Sequence, residues 1–197
     1  MSALEEITIV KERLAAKGLF PGTSGNLGIR NGETLFVTTS GVDKYITNGN
    51  SFVAVDVLGQ PLKTSSLKPS LETCLHVKVF NQTAANVSIH IHTVNNNLIS
   101  ELYGDEGKVV FQNQELIKAF GLWQEDDQLV VPIIENPSDV QHLAELFAEH
   151  VHQDYGVVLI RNHGVNVWGK TKEEALKLFE AFEFLCEYTL KIKQLKK

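Results

Sequence analysis

From residue 86 to residue 92 the chain reads Asn-Val-Ser-Ile-His-Ile-His, and this alternation constrains the fold more than any other stretch. Successive strand side chains point to opposite faces, so Val87, Ile89 and Ile91 share one face while Ser88, His90 and His92 share the other. Two strand residues advance about 6.6 Å, which lets both imidazoles converge on one ion lying off that face. The opposite face is uniformly β-branched, and Thr93, Asn95, Asn96 and Asn97 follow. This pattern predicts a buried strand whose end opens into a polar site.

Around this strand, helical and strand signals alternate without a linker, a low-complexity tract or an obvious repeat. Leu4, Ile7, Val10 and Leu14 stand at helical spacing over 3–17, with Gly18 as the stop. Asn31-Gly32 between Leu27/Ile29 and Leu35/Val37 predicts a hairpin, since a tight primed turn needs positive φ at both central positions. Further strands are expected over 52–57, 128–134, 156–161 and 165–168. Helices are expected after Pro69-Ser70, over 95–103, from a capping box at Ser138-Asp139-Val140-Gln141, and from Thr171 to about Leu195. The mixture predicts one α/β layer sandwich occupying residues 1–197 as a single domain, not a regular βαβ repeat.

Composition narrows the partners. Among 197 residues, 43% are hydrophobic and 21% charged, as in a folded globular chain. The formal net charge of −6 lacks the basic face that a nucleic-acid binder needs. No run of about 18 apolar residues exists, so no membrane span is expected. The start, Met1-Ser2-Ala3-Leu4-Glu5-Glu6, lacks the basic-then-apolar pattern of a signal peptide. Cys74 and Cys186 form no Cys-x-x-Cys pair, and reduced thiols in a cytoplasmic protein are expected.

The other histidines separate by context. His163 sits between Asn162 and Gly164, just after the apolar run Val157 to Ile160, where a loop residue is well placed for function. With His90 and His92 it makes three neutral imidazoles, the open coordination of a catalytic divalent ion such as zinc. His150 and His152 fall at the end of an expected helix, where two residues rotate by roughly 200° and the rings point apart. His142 belongs to the same helix, and His76 is expected on a packed helix face.

A metal that polarises a carbonyl needs a base nearby. The candidates are Glu72, in the first turn after Pro69, and Glu115, in Phe111-Gln112-Asn113-Gln114-Glu115. Thr23-Ser24-Gly25-Asn26 and Thr39-Ser40-Gly41 place hydroxyls beside glycine amides, a combination suited to phosphate and equally to tight turns. Lys68-Pro69-Ser70 adds a cation and a hydroxyl at a helix N-terminus. No Gly-x-x-x-x-Gly-Lys-Ser/Thr, Gly-x-Gly-x-x-Gly or Gly-x-Ser-x-Gly occurs, which removes support for nucleotide and serine-hydrolase chemistry.

Taken in order, Thr23-Ser24-Gly25-Asn26, Thr39-Ser40-Gly41, Lys68-Pro69-Ser70-Leu71-Glu72, His90-Ile91-His92 and Arg161-Asn162-His163-Gly164 resemble the class II aldolase/adducin family over nearly the whole chain. The resemblance implies a three-layer α/β/α sandwich around a central, largely antiparallel sheet, assembled as a homotetramer. It implies one zinc ion per subunit at His90, His92 and His163, and phosphate contacts from the loops holding Gly25, Asn26, Ser40, Gly41 and Ser70. Four runs, 92–97, 101–105, 112–118 and 159–164, narrow the resemblance to the family's dehydratases. That implies zinc-dependent loss of water from a 5-methylthio ketose 1-phosphate, giving a 2,3-diketone phosphate in methionine salvage. A sugar-phosphate aldolase or epimerase would share the triad and the phosphate loops. A non-catalytic module like the adducin head would not be expected to keep the triad. The family's aldolases place their acid/base at the position of Glu72, and its eukaryotic dehydratases at that of Glu115. The chain has both, and Glu115 is favoured because it lies in the dehydratase-specific run.

Overall fold

In a computed structural model, which describes residues 1–62 and 66–196, the alternating stretch becomes strand β4 (Val87–Ile91), buried along its whole length. It pairs antiparallel with β1 (Asn26–Asn31) on one side and β8 (Gly164–Gly169) on the other. The expected hairpin joins β1 to β2 (Thr34–Thr38), but Asn31 pairs with Thr34, so the turn is centred on Gly32-Glu33 and not on Asn31-Gly32, and of these residues only Gly32 has positive φ, at 63°. β3 (Phe52–Val55), β5 (Lys108–Gln112), β6 (Gln128–Ile134) and β7 (Gly156–Ile160) complete an eight-stranded sheet among the described residues, in the order β3-β2-β1-β4-β8-β7-β6-β5. Every neighbouring pair is antiparallel apart from β6 and β7.

Both faces of the sheet carry apolar layers. Helices α1 (Ala3–Ala16), α3 (Val94–Leu102) and α5 (Lys172–Leu195) pack on one face through Ile7, Leu14, Ile99, Phe179 and Phe182. Helices α2 (Thr73–Gln82) and α4 (Val140–Ala148) cover the other through Leu75, Phe80, Leu143 and Phe147. β7 is covered twice: Val157 and Leu159 join the first layer, Val158 and Ile160 the second. A continuous apolar run of this kind is what a strand buried on both faces requires. The result is the three-layer α/β/α sandwich with a largely antiparallel sheet that the resemblance implied. No helix of the described residues is long and apolar enough to cross a membrane.

Several boundaries differ from expectation. α4 is capped by Asp139, whose carboxylate accepts from the Gln141 and His142 amides, and not by a box opened at Ser138. α4 ends at Ala148, so His150 and His152 lie beyond it and not in a helix. β3 stops at Val55 because the Asp56 carboxylate accepts from the amides of Leu58 and Gln60 and turns the chain. α2 begins only at Thr73, which leaves Leu71 81% exposed. β5 was not anticipated: Val110 interrupts the polar/apolar alternation because it faces outward, 43% exposed.

Candidate metal centre and anion cavity

His90 projects from β4 with no exposure, and its Nδ1 lies 3.1 Å from the Val165 carbonyl oxygen. A carbonyl only accepts, so Nδ1 carries the hydrogen and Nε2 keeps a bare lone pair. His163 occupies the turn between β7 and β8. That turn is shaped by Asn162 at φ 53°, a conformation asparagine tolerates, and by the His163 amide donating to the Ile160 carbonyl. Its Nδ1 stands 3.1 Å from the Asn136 side-chain amide, and its Nε2 faces the centre. His92 lies just past the end of β4, and Gly164 is what admits its ring. A Cβ at residue 164 would sit 2.5 Å from His92 Cδ2 and 2.7 Å from the Ile91 carbonyl oxygen.

The three rings meet nearly edge-on, with centroids 4.6 to 5.0 Å apart. His92 Nε2 lies 2.8 Å from His90 Nε2, and His163 Nε2 lies 2.8 Å from Glu72 Oε1. Glu72 Oε2 is 3.4 Å from His90 Nε2. One donor atom from each of Glu72, His90, His92 and His163 lies within 4.8 Å of all the others. Two ring nitrogens 2.8 Å apart repel unless a proton or a cation lies between or beside them. The Nδ1–H of His90, fixed by the Val165 carbonyl, aims that ring's Nε2 lone pair inward, which is the outer-shell pattern of metal-ligating histidine. The donor set fits a divalent cation.

Protonation follows from burial. Desolvation pushes His90 down to about 4 and His92 down to about 3, so both rings are neutral, the form that ligates. Burial by itself would raise the Glu72 carboxyl. The His163 hydrogen bond, the neighbouring imidazoles of His90 and His163, and the Asn26 amide together hold it well below the usual carboxylate range. Glu72 stands at the N-cap position of α2 without a side-chain capping bond, and its Oε2 accepts from Asn26 Nδ2 at 2.6 Å.

Beside Glu72 and His92 opens a cavity of about 300 Å³. Thr23, Ser24, Gly25, Asn26, Thr39, Ser40, Gly41 and Ser70 line it, so both small-residue loops reach one space. Gly25 and Gly41 have φ of 72° and 69°, and a Cβ on Gly25 would sit 3.0 Å from the His90 carbonyl oxygen. The hydroxyls of Ser24 and Thr39 are buried without a hydrogen-bond partner. Orphaned hydroxyls at a polar cavity are what a bound anion would satisfy.

Lys44, unremarked in the sequence, lines this cavity and is 6% exposed. Its ammonium donates to the Thr23 carbonyl, and burial pushes its pKa down. The available signal was a cation three residues after Gly41. Its loop is tied to α1 by the buried Lys11, which donates to the Ile46 carbonyl at 2.9 Å and to Thr47 Oγ1 at 3.0 Å. Lys68 lines a neighbouring recess with Ser40 and Gly41, and its carbonyl accepts from the Ser40 amide.

Glu115 is not among the groups at the histidines. It opens a 3-10 turn, Glu115–Phe120, with its side chain 78% exposed and paired to Lys118 Nζ at 2.9 Å. His142, His150 and His152 are exposed, away from the centre. His76 is fully buried, hydrogen-bonded to Ser88 and Asn26.

Residues 5–190 match the family described as the class II aldolase and adducin N-terminal domain. The chain is 51% identical to the methylthioribulose-1-phosphate dehydratase of Exiguobacterium sibiricum, over 98% of this chain and 95% of that protein. It is 52% identical to the Bacillus subtilis protein of the same name, over 96% of this chain and 93% of that one. Among solved structures, L-fuculose-1-phosphate aldolase from Thermus thermophilus superposes with a TM-score of 0.77 at 21% identity, covering 98% of this chain and 96% of that chain. A sugar-phosphate aldolase from Thermotoga maritima gives 0.66 at 19%, covering 99% and 96%. At such identities the structural likeness speaks for the fold.

Proposed function

The chain belongs to the class II aldolase and adducin N-terminal domain family, and from that premise we propose that it is a lyase that dehydrates 5-methylthioribulose 1-phosphate to 2,3-diketo-5-methylthiopentyl 1-phosphate. The reaction places it in methionine salvage, with one zinc ion per subunit and a homotetrameric assembly. The observation that carries this reading is the meeting of His90, His92, His163 and Glu72 beside a hydroxyl-lined cavity that also holds Lys44. About half-identity to dehydratases over nearly their full length supports the choice of substrate.

His90, His92 and His163 would hold the cation, which supplies a Lewis acid for the substrate carbonyl at carbon 2. Ser24, Thr39, Ser40 and Lys44 bind the phosphate, joined by the amides around Gly25 and Gly41. Asn26 and Ser70 close the same cavity. Both Glu72 oxygens are engaged, Oε1 by His163 and Oε2 by Asn26, so Glu72 contributes charge beside the imidazoles while remaining a poor proton acceptor. We assign the proton on carbon 3 to Glu115, which stands outside the centre of its own chain and would have to reach the site from a neighbouring copy. The hydroxyl on carbon 4 takes up a proton and leaves as water. The resulting enol, with its double bond between carbons 3 and 4, tautomerises to the second ketone.

An aldolase would instead break the bond between carbons 3 and 4. Incubation with the substrate and identification of products tests the reading. Stoichiometric diketone phosphate is expected; dihydroxyacetone phosphate with methylthioacetaldehyde would replace the dehydratase with an aldolase. Bound metal should be zinc at about one per chain, and His90→Ala should lose it while His150→Ala and His152→Ala keep it.

A further inference from the structure

One fully buried titratable side chain takes no part in the chemistry above. His76 projects from α2 toward β1 and β4, with Nδ1 2.8 Å from Ser88 Oγ and Nε2 2.7 Å from Asn26 Oδ1. The direction of each hydrogen bond can be deduced from Glu72. Its carboxylate only accepts, so the amide nitrogen of Asn26 must face it, as the 2.6 Å contact requires. The Asn26 oxygen then faces His76 and also only accepts, so His76 Nε2 carries the hydrogen. Nδ1 is left bare, and the Ser88 hydroxyl donates to it. A single chain of donors runs from Ser88 through His76 and Asn26 to Glu72.

The backbone is arranged around this chain. Asn26 stands opposite His90 and Gly28 opposite Ser88 in the β1–β4 register. Gly28 leaves room for the imidazole, since a Cβ there would lie 2.9 Å from His76 Cγ. Burial pushes His76 down to about 4, which keeps the ring neutral with a single N–H to give.

We propose that His76 is a positioning residue: by donating to Asn26 Oδ1 it locks the amide with its nitrogen toward Glu72, and so holds that carboxylate against His90 and His163. Without that donor the buried Asn26 oxygen is left unpaired, and the amide shifts in search of another donor, which loosens its hold on Glu72 among the imidazoles. The inference rests on the reading of Glu72 as part of the cation-holding site.

The experiment compares wild type, His76→Phe and His76→Gln. Phenylalanine keeps a flat ring without a donor, and glutamine can return an N–H to Asn26. Zinc affinity is measured by chelator competition, dehydration as kcat and KM, and the His76 tautomer by 15N spectra of the histidine-labelled, zinc-loaded wild type. The wild-type ring should carry its proton on Nε2. His76→Phe should weaken zinc binding by about tenfold to a hundredfold and lower kcat with KM nearly kept, and His76→Gln should recover most of both. A proton on Nδ1 in the wild type overturns the proposal whether or not the variants fold. So does a folded His76→Phe protein with wild-type zinc affinity. If wild type dehydrates nothing yet zinc affinity still depends on His76, the functional reading fails and the positioning role stands.

Discussion

At the scale of single residues, the centre depends on which nitrogen of each imidazole is bare, and that has a consequence for stability. His76 and His90 are pushed from 6.5 to about 4, and His92 to about 3, with burial the largest cause in each. The folded protein therefore refuses protons that the unfolded chain accepts below 6.5. Stability contributed by these rings is fully present above that pH and is lost as pH falls toward about 4. Glu72 is also depressed, so it adds a further loss below its ordinary 4.5. The metal-free protein should show a denaturation midpoint that declines from pH 7 to pH 4, and His76→Gln should have a shallower decline. A midpoint independent of pH across that range would contradict neutral burial of the rings. The triad and Glu72 were legible because alternation and turn context depend on neighbours in sequence. The role of His76 was not, because its partners lie 50 and 12 residues away and only the sheet brings them near. Lys44 escaped for a related reason: a lysine in a polar loop reads as solvated until Lys11 pins the loop.

Among elements, strands with one periodic face were legible, and ends set by side-chain hydrogen bonds were less so. β4, β6, β7 and the β1–β2 hairpin announce themselves through β-branched runs and Asn31-Gly32. The start of α4 hangs on Asp139 alone, and Asp139→Ala should cost about 0.5 to 2 kcal/mol of stability, read from denaturant midpoints. The β4–β8 pair has a stricter demand. Any side chain at Gly164 collides with His92 and the Ile91 carbonyl, so Gly164→Ala must push the two strand ends apart. That variant should lose most of its bound metal as well as stability, whereas Gly32→Ala, with nothing within 4 Å of its Cβ position, should keep its metal. Equal metal content in the two would show that the strand ends yield more easily than the backbone contact implies.

On the scale of the molecule, the strand order gathers the site. β1, β4 and β8 are adjacent, so Asn26, His90 and the β7–β8 turn carrying His163 reach one end of the sheet from distant points in the chain. Glu115 is left out of this gathering. It follows β5 at the far edge, where Val110 and its cross-strand partner Val130 are 43% and 50% exposed, an apolar pair that assembly would remove from water. If the acid/base is Glu115 of a neighbouring copy, each complete site joins the histidines of one chain to the glutamate of another, and the enzyme works only as an oligomer. Light scattering should give four times the 21.9 kDa of one chain. Glu115→Gln should keep zinc and lower turnover at least about a hundredfold. His90→Ala should be inactive for want of metal. Co-assembled in equal amounts, these two inactive chains should regain about a quarter of wild-type activity, because random mixing pairs intact histidines with an intact Glu115 at that frequency. A base supplied within one chain, whether Glu115 or Glu72, predicts a different outcome. With Glu115 acting in its own chain, every site in the mixture lacks one essential group and stays inactive. With Glu72 as the base, Glu115→Gln alone retains wild-type turnover.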